Sequence, residues 1–129
     1  MLEWINALSN PQRVLAVYGA TMPTLENVHI HEVCVDREGP TLRMRFDLSK
    51  IPTNPPQKWR RDGLDVVQLE IAFGGVSEIA IQQFSTDPVC DLKIQKDGSV
   101  YFSGESDSVR LAGVASTATV LRISAYANS

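Results

Sequence analysis

Residues 51–76, IPTNPPQKWRRDGLDVVQLEIAFGGV, decide how this chain can fold. Pro52, Pro55 and Pro56 lack amide donors and fix φ, so neither a helix nor a central strand forms across them. Asp62-Gly63 then offers a turn. From Asp65 to Phe73 the residues alternate: Val67, Leu69, Ile71 and Phe73 point one way, and Val66, Gln68, Glu70 and Ala72 the other. Strict alternation of this kind predicts a half-buried strand. Gly74-Gly75 follows as a reversal. A two-residue loop there would set Ile71 against Glu78, whereas a three-residue loop over 74–76 sets Ile71 against Ile79 and Leu69 against Ile81. Matching faces therefore favours a hairpin between 65–73 and 77–84.

Upstream, 28–36 and 41–48 form a second predicted hairpin around Arg37-Glu38-Gly39-Pro40. Pairing Asp36 with Thr41 sets Val35 against Leu42, Val33 against Met44 and Glu32 against Arg45. With that register His29 and His31 would point inward and Val28 and Ile30 outward. One extra residue near His31-Glu32, a β-bulge, restores the alternation. Before this hairpin, Ser9-Asn10-Pro11 reads as a helix start, with Asn10 or Ser9 as cap, and Gly19 as its end, placing a short helix over 11–18. Trp4 is expected to pack the N-terminal piece on the sheet. Downstream, a loop at Lys96-Asp97-Gly98 would set Ile94 against Val100 and Leu92 against Phe102. Strands at 109–115 and 118–126 complete the chain, with Val109, Leu111, Leu121, Ile123 and Ala125 inward. The expected fold is mainly β (α+β). It has about eight antiparallel strands, in four hairpin-like pairs, forming a sandwich or strongly curved sheet with one short N-terminal helix.

A length of 129 residues fits a single domain, 1–129, with one core. No apolar run approaches the roughly 20 residues of a membrane span, and the N-terminus lacks a signal-peptide pattern, so a cytoplasmic, bacterial-type domain is expected. Cys34 and Cys90 could bridge, but free thiols in a reducing compartment are the expectation. The net charge of −3 is uneven: residues 1–61 balance to +2 and residues 62–129 to −5. An acidic second half argues against nucleic acid as partner and is compatible with a basic protein.

No motif spells out a reaction. His29-x-His31 is the nearest approach to a metal site, but these are the only two histidines and a catalytic zinc normally takes three protein ligands. No metal or other cofactor is expected. The phosphate-binding G-x-x-x-x-G-K-S/T loop and the G-x-S-x-G elbow are absent from the sequence. Trp59 among Lys58, Arg60 and Arg61 is expected to anchor the proline-rich crossover, largely buried, rather than to stack on a base.

Trp4, Asn10-Pro11, Pro23, Gly39-Pro40, Pro52, Pro55-Pro56 and Lys58-Trp59 occur in order. Val67-x-Leu69-x-Ile71-x-Phe73 and Gly75-Val76 follow them. This arrangement resembles the immunity protein 50 family of bacterial polymorphic toxin systems, most closely over 51–81. The resemblance implies a non-enzymatic protein that binds and neutralises a cognate toxin encoded beside it, and it carries no catalytic residues. The alternatives are a small-molecule binding module using the interior of the curved sheet, and a metal-dependent enzyme using His29 and His31. For toxin binding, the expected contacts are Glu70, Glu78, Asp91, Tyr101 and Glu105. Their outward positions on the third to sixth strands would gather four carboxylates around one tyrosine, if those strands are neighbours.

Overall fold

The computed structural model describes residues 3–19 and 21–128. Three short helices, α1 (Glu3–Ala7), α2 (Gln12–Tyr18) and α3 (Gln57–Arg61), accompany eight strands. The strands are β1 (Val28–Asp36), β2 (Thr41–Asp47), β3 (Val66–Gly74), β4 (Glu78–Phe84), β5 (Val89–Asp97), β6 (Ser99–Glu105), β7 (Val109–Ala115) and β8 (Thr117–Tyr126). They form one antiparallel, unclosed sheet in the order β4-β7-β6-β5-β1-β2-β3-β8. The sheet folds back on itself. A front layer of β1, β2, β3 and β8 meets a back layer of β4, β5, β6 and β7, joined through a short pairing of Val28 with Cys90 and His29 with Val89. The mainly β, antiparallel expectation therefore holds, with two five-residue helical turns beyond the single helix expected.

Alternation read the β1–β2 hairpin correctly, including Asp36 opposite Thr41 and a bulge between Ile30 and Glu32. The bulge lets Val28 and Ile30 enter the core while His29 and His31 stay out. Val35, expected inward opposite Leu42, is instead exposed near the hairpin tip.

Two of the four expected hairpins do not form. β3 pairs with β2 and β8, and β4 pairs with β7. Both edges of β3 are thus taken, and Ile79 and Ile81 never meet Ile71 and Leu69. The β3–β4 and β7–β8 segments act as two long strands paired along their length and bent at the same place. At the bend Gly74 pairs with Thr117, and Ser77 N–H donates to the Val114 carbonyl at 2.9 Å. Gly75 has φ +62°, and a Cβ there would lie 2.7 Å from Ser116 Oγ, so the corner needs glycine. Strands that bend from one layer into the other are how folded sheets make corners.

The β5–β6 hairpin has its expected faces but a register two residues away: Ile94 opposes Phe102 and Leu92 opposes Gly104. The gap at Gly104 receives Leu92 and Cys90, since a Cβ there would sit 2.7 Å from Cys90 Sγ. In β8 a register shift between Ile71/Val120 and Glu70/Arg122 makes Leu121 the extra residue. Leu121 is therefore exposed rather than inward, and Ala118 and Val120 are the buried residues.

The core lies between the layers. Phe73 of β3 stacks on Phe102 of β6 with ring centroids 4.1 Å apart. Trp4 is buried and donates its indole N–H to the Pro23 carbonyl at 3.0 Å, as its packing role requires. Trp59, expected to be largely buried, is only half-buried against this core. Asn10 does not cap α2 with its side chain. It instead bonds both the carbonyl and the amide of Val120, and the Ser9 amide bonds Ala118, so residues 9–10 cover the outer edge of β8.

Candidate functional site

Directly paired residues of antiparallel strands share a face. Across β4, β7, β6 and β5, one outward row is Glu78, Val114, Tyr101 and Gln95. The next is Ala80, Ala112, Ser103 and Lys93, and the third is Gln83, Arg110, Glu105 and Asp91. Small side chains in the middle row leave a groove of about 530 Å³ on the outer face of the back layer. Tyr101, 44% exposed, lies in the row next to it. In the third row Glu105 pairs with Arg110 at 3.7 Å, and Asp91 Oδ1 accepts the Asn27 amide at 2.9 Å.

Four of the five residues selected from sequence thus meet on one face: Glu78, Asp91, Tyr101 and Glu105. Glu70 does not join them. It lies on the front layer opposite Arg45 and Arg122 and pairs with Arg43 at 3.1 Å. The cause is the pairing of β3 with β2 and β8 rather than β4. Sequence reasoning also passed over Lys93 and Arg110, whose strand parity matches that of Asp91 and Glu105. They make the patch mixed, with three carboxylates against two cations, while on the front layer's outer face Arg43, Arg45 and Arg122 stand among Glu32, Glu70 and Asp47.

A second hollow, about 600 Å³, is lined by His29, His31, Asp47, Asp65, Asp87 and Tyr126 among others. The bulge turns His31 so that its Nε2 donates to Asp47 at 2.7 Å. Gln68 Nε2 donates to the same carboxylate at 3.0 Å, and the Tyr126 hydroxyl also donates to it. Tyr126 arrives there because β8 pairs Tyr126 with Val66, an alignment invisible without the β3–β8 pairing. Burial alone would raise the Asp47 pKa, but the three hydrogen bonds and the nearby imidazole together hold it below the usual carboxylate value. Burial, then the hydrogen bond to Asp47 and its charge, push the Tyr126 phenol up to about 12. His29 lies 3.6 Å from Asp87 at the solvent side. Among the described residues no group of three or more His, Cys, Asp or Glu side chains is placed to hold a metal ion.

This network makes a pH prediction. Because folding lowers the Asp47 pKa, the unfolded chain takes up its proton first as pH falls. The stabilisation is complete above the unfolded value of about 3.9 and is lost as pH drops through the folded value below it. Asp47→Asn should cost about 1.5–3 kcal/mol near neutral pH, the range for hydrogen bonds to a charged group. The gap between variant and wild type in urea midpoint should close below about pH 4. A gap unchanged down to about pH 2 would contradict this assignment.

Both cysteines are free, Cys34 half-buried and Cys90 buried. Burial, with Asp91 adding to it, pushes the Cys90 thiol up to about 11, so it is not a poised nucleophile. No helix among the described residues is long and apolar enough to cross a membrane.

The family comparison matches the chain to the model for immunity protein 50 over residues 10–126. The chain belongs to the immunity protein 50 family. No curated protein and no solved structure matches it.

Proposed function

We propose that this protein neutralises a cognate toxin by forming a complex with it, without catalysis, and that the outer face of the back layer makes the contact. Family membership supports the toxin as partner. The observation that carries the choice of face is that Glu78, Asp91, Tyr101 and Glu105 share the outer face of the back layer, where Asp91 and Glu105 line an open groove. An exposed tyrosine on a face that also carries charge suits a protein interface: the aromatic supplies the anchor, and the charges steer encounter and set register.

The interior of the folded sheet is packed with Phe46, Phe73, Phe102 and their neighbours, which removes the basis for a small molecule bound there. The histidine hollow remains open to solvent, with polar and apolar lining in equal measure, unlike the largely enclosed pockets that small ligands favour. The direct test is co-expression with the product of the adjacent reading frame, with an affinity tag on that product only. Co-purification in a fixed ratio is expected. Failure to co-purify from cells that the protein nevertheless protects would overturn complex formation.

A further inference from the structure

The two free edges of the sheet are treated differently by the chain. Residues 9–10 cover the start of β8 with hydrogen bonds to Ala118 and Val120. β4 ends the other side of the sheet, paired only with β7, and all seven of its residues are exposed. Its sequence, EIAIQQF, contains no Lys, Arg or Pro, the residues that normally protect an edge from pairing with another chain. Its register shifts between Ile81 and Gln83. That bulge places Phe84 on the same face as Ile79 and Ile81, giving an apolar stripe whose members are 45%, 38% and 44% exposed. The stripe continues the inner face of the back layer past the reach of the front layer. On the outer face, β4 carries Glu78 at one end. At the other end Gln83 Nε2 donates to the backbone carbonyl of exposed Asp107 at 2.6 Å.

We infer that β4 receives an extended segment of the toxin as an added antiparallel strand, one whose alternate residues are apolar and whose ends carry Lys or Arg. The main-chain groups of the edge supply pairing, the stripe selects apolar side chains on one face, and Glu78 and Asp107 select cations at the two ends. A second copy of this chain fits less well. Antiparallel self-pairing centred on Ile81 sets each Glu78 opposite the partner copy's Phe84, at the end where Asp107 lies, so like charges meet at both ends. A seven-residue strand also covers far less than the ~800 Å² per partner typical of a stable interface, so a toxin that also touches the neighbouring outer face is favoured.

This inference rests on the toxin-binding reading, and the experiment separates the two. Hydrogen–deuterium exchange on the complex with the co-purified toxin should show slowed exchange of amides within 78–84. An Ile79→Lys/Ile81→Lys variant, altered only at exposed positions, should keep its circular dichroism spectrum and lose about 30-fold or more in affinity. Wild-type binding with unchanged exchange in β4 and an unaffected variant would overturn strand addition and leave toxin binding standing. No wild-type complex at all would overturn both. A wild-type dimer without toxin, made monomeric by the variant, would overturn the inference in favour of self-pairing.

Discussion

Phe102→Ala is expected to lose about 3–5 kcal/mol, the usual range for deleting a buried phenylalanine. Against a total of roughly 5–15 kcal/mol for a domain, that loss would leave the protein marginal. Phe102 is 2% exposed and stacks across the layers on Phe73, so its removal takes out a large contact between front and back. The ring in turn depends on Gly113: a Cβ there would fall 2.2 Å from Phe102 Cζ and 2.8 Å from the Glu78 carbonyl oxygen. Gly113→Ala should therefore cost about 1–3 kcal/mol by displacing the ring. Since the two changes share the ring contact, the double variant should lose less than the sum of the two, the clash with the Glu78 carbonyl being the part that remains. Urea denaturation of Phe102→Ala, Gly113→Ala and the double variant measures this, and strict additivity would contradict it.

The second large effect concerns binding. Tyr101→Ala should raise the toxin off-rate, by about 30-fold if Tyr101 is a hot spot of about 2 kcal/mol. Glu78→Gln/Asp91→Asn/Glu105→Gln should act differently, slowing association about tenfold at low salt and flattening its salt dependence. Glu70→Gln is the control: it lies on the other layer and should leave both rates unchanged. Kinetics measured over a salt series would distinguish the cases. Wild-type association by the triple variant, with Glu70→Gln slow, would move the interface to the front layer and its Arg43 and Arg45.

What was legible in the sequence was which way most side chains face, Val35 and Leu121 excepted. β2 and β3 alternate cleanly, and the parity conflict at His29 and His31 disclosed the bulge that later proved to aim His31 at Asp47. What was not legible was which strand lies beside which. Alternation assigns a face and is silent about the neighbour, so Gly74-Gly75 read as a reversal when it makes a corner. A register error of two residues, as at Ile94, leaves every face unchanged and no pattern can detect it. An unmarked bulge turned Leu121 outward, while Ile123 and Ala125 keep the face their alternation gives them. The site shows the same division: the outwardness of Glu78, Asp91, Tyr101 and Glu105 was readable, whereas the exclusion of Glu70 and the convergence of Tyr126 on Asp47 both follow from β3 pairing with β8.

Neutralisation by a complex differs from neutralisation by catalysis in stoichiometry. The most direct measurement titrates the cognate toxin's activity, at a toxin concentration well above the dissociation constant, with increasing amounts of this protein. Inhibition should rise linearly and be complete at a fixed ratio near one to one, whatever the incubation time. Complete inhibition by a small fraction of an equivalent, deepening with time, would contradict the account and mark the protein as an enzyme acting on the toxin.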